Sequence, residues 1–365
     1  MPAPEKPPTI RSLARRLRLS AMTVSRALRN APGVSAATRR LVLDAASKRG
    51  YRPDPSLAVL NAYRHGKRHL LPNGTIAYLT NFPTENEWRR NGTFLRFFHG
   101  AEARASELGY SLEHFWLGAL TGRRASQILL SRGIRGLIVG PLDRAGLSPQ
   151  LDWAEFTAVA LGRSMITPAI TTVSSHHGHS VELAWAHARA RGYRRIGLVL
   201  TEEAEARTAG TLHASHLLQQ LRYPGGEIPV LITPNFSPAA LIAWTREHRP
   251  DLIIGSHPRH YELLLDGLGE AARAIKFLNI DANPRSEIGG IDQGHEKVGE
   301  YAMTLLHLKL VHREIGIPPR RELTLIDGVW KEGQGEWLIP PVHTAAKGPR
   351  NDCQRASSLK PKIAS

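Results

Sequence analysis

The chain has 365 residues, 42% hydrophobic and 22% charged, a balance typical of globular proteins and too long for a single ordinary core, so two or three domains are expected. A single cysteine, Cys353, excludes an internal disulfide and falls far short of a zinc-ligand set. No apolar run approaches the roughly 18 residues that would span a bilayer, and the segment from Met1 to Pro8 lacks the apolar centre of a signal peptide, so a cytoplasmic protein is expected. The net charge of +16 is informative through its placement. Residues 1–70 hold 15 Lys and Arg against three acids, a net of +12. Residues 71–338 hold 28 of each sign, and residues 339–365 hold five basic residues against one acid. A chain that is basic merely by composition would spread this charge evenly. A small basic N-terminal unit and a neutral middle are expected when one module meets phosphates.

In chain order, Thr9 reads as an N-cap, and Leu13, Ala14 and Leu17 follow at helical spacing. A short break at Arg18-Leu19 leads to a second N-cap, Ser20, and a helix from about Ala21 to Arg29. Val24, Ala27 and Leu28 form its inner face, and Met22, Ser25, Arg26 and Arg29 its outer one. Two short helices so tightly joined read as a helix-turn-helix, whose second helix enters the DNA major groove. A third helix is expected from Ser35, with Gly50 as its stop. Asp54-Pro55 then opens a short fourth segment carrying Leu57, Leu60 and Tyr63, followed by the basic linker Arg64 to His69 and by Pro72-Asn73-Gly74.

The stretch from Thr9-Ile10 to Tyr51-Arg52-Pro53 resembles the headpiece of the lactose-repressor (LacI/GalR) family. Most of the match lies in Met22-Thr23-Val24-Ser25-Arg26-Ala27-Leu28 and in Gly50-Tyr51-Arg52-Pro53. The resemblance implies that Ala21, Met22 and Arg26 face bases, an arginine fork suiting guanine and the two apolar side chains a thymine methyl. It implies that Thr9, Thr23, Ser25, Arg29 and Ser35 contact phosphates or cap helices, and that Leu60 wedges into the minor groove from a hinge helix. Two departures stand out: Arg18 where the family usually has glycine, and Ser12 where an acid is common.

From Gly74 the pattern changes to strands alternating with helices. Thr75–Thr80, Gly136–Gly140, Ile196–Leu200 and Asp251–Gly255 read as strands. Helices are expected near Leu95–Leu108, Val181–Arg191 and Leu212–Leu221, and from Val298 through Leu310. Such alternation implies parallel sheets covered on both faces. More diffusely, it resembles the two-lobed, type I periplasmic-binding-protein fold of the same family, its last crossing carried by Gly290-Ile291-Asp292-Gln293 and its terminal strand by Gly328 to Gly333. The expected fold is therefore an all-α headpiece at 1–53, a hinge and linker at 54–73, an α/β sensor at 74–338 and a basic, disordered tail at 339–365. Family crossovers put the first lobe at 74–168 and 291–322 and the second at 169–290 and 323–338.

The sugar-binding carboxylates expected by resemblance are replaced in part, an Asp-Asn pair by His176-His177 and a strand-end acid by His257, which argues against an ordinary monosaccharide pocket. The remaining cleft candidates are Asn81, Trp88, Arg207, Asp281 and Gln293, with His257 beside them. No phosphate loop, nucleophile elbow or convincing metal set is present, so neither an enzyme nor a cofactor is expected. The expected partners are duplex DNA as operator, a second copy of the chain, and a small-molecule effector, a sugar or a derivative. Two other classes compete with this reading, as does a regulator with no small-molecule effector. A transport binding protein would lack the basic headpiece, and an architectural DNA-bending protein would show little sequence preference.

Overall fold

The computed structural model describes residues 9–28, 33–49, 51, 74–118, 120–285 and 287–335. These divide into two units, one before residue 72 and one from that residue onward. The first unit holds three helices, α1 (Ile10–Leu17), α2 (Ala21–Leu28) and α3 (Ala36–Lys48). None is long enough to be stable alone in water. What holds them is one small cluster in which Leu13, Ala14, Val24, Ala27, Val42 and Ala46 are buried.

Each helix start is capped by the residue that the sequence suggested. Thr9 accepts from the Ser12 backbone N–H at 3.1 Å, and the Ser12 hydroxyl accepts from the Thr9 N–H at 2.9 Å, so a serine completes the capping box in place of an acid. Ser20 accepts from the Thr23 N–H at 3.0 Å and Ser35 from the Thr38 N–H at 3.2 Å. Arg18 ends α1 in the left-handed region, at φ 51° and ψ 37°, a conformation that suits the glycine expected here by resemblance. The proposed hinge around Leu60, Gly50 and the tail lie outside the described residues.

In the second unit, near-continuous apolar runs build two parallel sheets. The first sheet takes β1 (Thr75–Thr80), β2 (Ser111–Trp116), β3 (Gly136–Val139), β4 (Thr157–Leu161), β5 (Thr171–Ser175) and β11 (Leu323–Ile326), in the order β11-β5-β4-β3-β1-β2. The second takes β6 (Ile196–Thr201), β7 (Leu231–Thr233), β8 (Leu252–Gly255), β9 (Lys276–Asn279), β10 (Gly290–Asp292) and β12 (Val329–Lys331), in the order β12-β10-β9-β8-β6-β7. Among the described residues only the β10–β12 pair is antiparallel. Strands β3, β4 and β8 are buried throughout because helices cover both faces. The pleat sorts the side chains: Ile76 and Tyr78 join one core with α4 (Gly92–Glu107) and α11 (His295–His312), while Ala77 and Leu79 join another with α5 (Gly122–Ser131). The second sheet is covered by α6 (His177–Ala190), α8 (Thr211–Arg222), α9 (Pro238–His248) and α10 (Arg259–Leu268), with the short α7 (Glu202–Arg207) after β6.

The lobe boundaries differ from those expected. β5 belongs to the first sheet, so the first crossing falls after Ser175 and not at 169. β10 belongs to the second sheet, and β11 returns to the first, which moves the other crossings to Gln293 and Asp327. The apolar strands look alike in sequence, and only their hydrogen-bond partners say which sheet each one enters. Helices α4 and α11 pack very closely in the first lobe. A Cβ on Gly100 would lie 1.9 Å from the Glu296 carbonyl oxygen, and one on Gly299 would lie 2.0 Å from that of Phe97.

Left-handed backbone costs a non-glycine residue about 1–2 kcal/mol, so Arg18→Gly is expected to stabilise the headpiece by roughly 1 kcal/mol. Urea unfolding of the headpiece transition checks this, and an unchanged or lower midpoint would show that the strain is relieved elsewhere.

Candidate functional site

Two sites emerge, one in each unit. In the headpiece, α2 buries Val24 and Ala27 and turns Ala21, Met22 and Arg26 to solvent, with Met22 61% exposed. Thr23 and Ser25 are half-buried on the flanks, and Thr9 and Ser35 are exposed caps. Arg11, Arg15, Arg16, Arg18, Arg40, Lys48 and Arg49 are exposed on the same small unit. Arg29 and Leu60 lie outside the described residues.

The second site is a cavity of about 710 Å3 between the lobes, at the carboxyl ends of the strands. Trp88, Arg207, His257, Asp281 and Gln293 line it. Asn81 does not. Its Oδ1 accepts the Asp143 N–H at 2.9 Å, tying the loops after β1 and β3, and it borders a separate cavity of about 450 Å3. The strand-end rule placed Asn81 at the correct end of the sheet but could not say which side of the loop it faces.

Both carboxylate oxygens of Asp281 are bonded across the cleft. Its Oδ1 lies 2.6 Å from His295 Nε2 and its Oδ2 accepts from the Thr93 hydroxyl at 2.9 Å. Burial acts to raise this carboxyl, but His295, Thr93 and Arg96 outweigh it and hold it down at about 2. His295 Nδ1 stands 3.4 Å from the Ser175 hydroxyl, which itself donates to the Gln293 carbonyl at 3.0 Å. Gln293 donates Nε2 to the Ile280 carbonyl at 2.7 Å, which leaves Oε1 to accept from His177 Nδ1 at 2.9 Å. Beside this chain, Arg96 donates to Asp292 at 2.6 Å and to Glu296 at 2.7 Å. His257 accepts the Arg259 N–H and packs against Phe236, and burial draws its pKa below the ordinary value.

Ser175, His295 and Asp281 have the residue types of a hydrolytic triad, but the 3.4 Å contact is long and the serine proton is already committed to Gln293. The geometry is that of a joint. His176 Nδ1, 2.7 Å from Asp327, joins two crossings in the same way. Among the described residues no group of three or more His, Cys, Asp or Glu is arranged to hold a metal ion, and no helix is long and apolar enough to cross a membrane. Sequence reasoning missed Thr93, Arg163 and His295. Arg163 could have been found from its place just after β4, at a strand end; Thr93 and His295 carry no comparable signal.

Residues 9–54 match the family model of the bacterial regulatory proteins of the lacI family. A HTH-type transcriptional regulator of Mycolicibacterium smegmatis is 27% identical over 202 residues, 54% of this chain and 52% of that protein, so the chain spans about half the length of the curated relative it matches. Among solved structures, the lac repressor dimer bound to operator and the anti-inducer ONPF aligns at a TM-score of 0.53 and 18% identity, over 92% of this chain and 100% of that one. The transcriptional regulator CelR in complex with cellobiose aligns at 0.53 and 17%, over 89% and 98%. A regulatory protein of the LacI family from Chloroflexus aggregans aligns at 0.54 and 15%, over 70% and 96%. These structures share the fold: N-terminal helices where present, then two parallel-sheet lobes.

His177 is expected to make stability pH-dependent. Burial, with His295 nearby, lowers its pKa from 6.5 to about 4 although Gln293 opposes the shift. A histidine depressed on folding binds its proton more readily in the unfolded chain. Stability should therefore fall as pH drops from about 6.5 to about 4. His177→Gln should shrink that fall by about one proton's worth of linkage. Denaturant unfolding across this range is the check, and an unaltered pH slope would contradict the assignment.

Proposed function

We propose, from the premise that this chain carries a lacI-family headpiece, that it is a sequence-specific transcription regulator acting as a repressor. It binds a near-palindromic operator as a homodimer, in the bacterial cytoplasm. The observation that carries this reading is the division of α2, with Val24 and Ala27 sealed in the core and Ala21, Met22 and Arg26 presented outward on a strongly basic unit. A helix presented in this way suits the major groove, where Arg26 can bond guanine O6 and N7 and Met22 can meet a thymine methyl. Thr9, Thr23, Ser25, Arg29 and Ser35 then set register on the phosphates, and Leu60 kinks the operator centre.

The cleft serves an effector, with Trp88, Arg207, His257, Asp281 and Gln293 as contacts. A ligand changes operator affinity only if it binds two lobe arrangements unequally. Asp281, bonded to Thr93 and His295 of the first lobe, is one group through which cleft occupancy would reach the lobe angle. The relatives support an effector of sugar type, since CelR was solved with cellobiose.

Selection of bound duplexes from a random library, with the full-length protein, tests the reading. A two-fold-symmetric motif is expected. Arg26→Ala should weaken binding by about 1–3 kcal/mol and relax preference at one base pair per half-site. The absence of any enriched motif, or equal weakening on every sequence, would reject specific readout through Arg26.

A further inference from the structure

The cleft is crossed by two guanidinium groups that reach from opposite lobes. Arg163, just after β4 in the first lobe, donates Nη1 to the hydroxyl of Thr211 in the second lobe at 3.1 Å. Arg207, at the end of α7 in the second lobe, donates Nη2 to the Asp143 carbonyl in the first at 2.6 Å. Both acceptors across the cleft are neutral. Arg207 also pairs with Glu203 on its own helix and lies over the Phe94 ring, 5.1 Å from its centre. Even so, its Nη1 is buried with no hydrogen-bond partner. Among the described residues no carboxylate lies within ion-pair distance of Arg163, a half-buried cation.

Four carboxylates of the described residues line the cleft, Asp281, Glu203, Asp143 and Glu87, and none lies within ion-pair distance of Arg163. Asp281 has one oxygen on His295 and the other on Thr93. Glu203 is taken up by Arg207, and the Asp143 carboxylate lies 3.8 Å from Arg144. Trp88 Nε1 is likewise buried without a partner. Thus the two partnerless buried atoms on side chains that line the cleft are both donors. A neutral polyol brings one donor with every two acceptor sites and can meet such donors only with uncharged oxygens. A carboxylate or phosphate offers acceptors only, and adds ion-pair attraction and a bidentate fit to the guanidinium fork.

We propose that the effector is an anion, a small molecule bearing a carboxylate or a phosphate monoester, and that Arg163 and Arg207 hold its charged group. This rests on the reading of the cleft as an effector pocket. The anion replaces the Thr211 hydroxyl and the Asp143 carbonyl as acceptor, so that two direct bonds between the lobes become bonds through the ligand. Occupancy and lobe angle are then linked by the same two side chains.

The test is calorimetric titration of the full-length protein with glucose, glucuronate and glucose 6-phosphate at matched ionic strength. At least one of the two charged sugars should bind tenfold or more tightly than glucose, and their order tells carboxylate from phosphate. Arg163→Gln should abolish the preference and Arg163→Lys should keep part of it, which separates charge from folding. Equal binding of glucose, no response to either anion, or a preference that survives in Arg163→Gln, as binding to the basic headpiece would, overturns the proposal. Operator selection is run without ligand, so its failure would count against the regulator reading and leave this outcome independent.

Discussion

The carboxylate of Asp281 ties the second lobe to the first, and the rest of the sensor unit is arranged around that tie. One oxygen is bonded to His295, the first residue of α11, and the other to Thr93 in the first turn of α4. Both partners stand at helix N-termini, where the partial positive charge of the backbone favours a carboxylate. A buried carboxylate without such partners would take up a proton. Here the charged form is held, so a single second-lobe residue grips two first-lobe helices.

The grip is useful only because those two helices are locked to each other. Gly100 and Gly299 let α4 and α11 approach until backbone meets backbone, and Phe97, Phe98, Met303 and Leu306 fill the layer between them and the first sheet. Around this rigid pair, the three chain crossings are bonded side by side. His176 holds Asp327, His177 holds Gln293, and Ser175 holds the Gln293 carbonyl. Arg96, clamped between Asp292 and Glu296, adds charge to the same joint. A ligand that altered the bonds of Asp281, Arg163 or Arg207 would act on a junction whose other members are fixed.

Much of the fold was legible because it rests on local rules. The caps Thr9, Ser20 and Ser35, the buried pair Val24 and Ala27, and the strand Thr75–Thr80 follow from spacing and side-chain chemistry alone. The oddity of Arg18 was legible too, and its left-handed backbone explains it. What sequence could not supply was pairing over long separations. β5 and β11 lie about 150 residues apart and bond to each other, and nothing in their apolar runs names the partner. The site divides in the same way. Asp281, Gln293 and His257 stand at strand ends, a rule that can be applied by eye. Their partners Thr93 and His295 sit on helix starts that only the folded chain brings near, and Asn81, at a strand end as well, bonds the next loop instead of lining the cleft.

If Asp281 holds the lobes in register, the distance between the lobes depends on it. Spin labels on Arg124→Cys in the first lobe and Glu270→Cys in the second, with Cys353 replaced by serine, would report that distance. With Asp281 intact one narrow distribution is expected, and with Asp281→Ala a broader and displaced one. An unchanged distribution in the variant would contradict it, and would mean that the crossings alone fix the lobe angle.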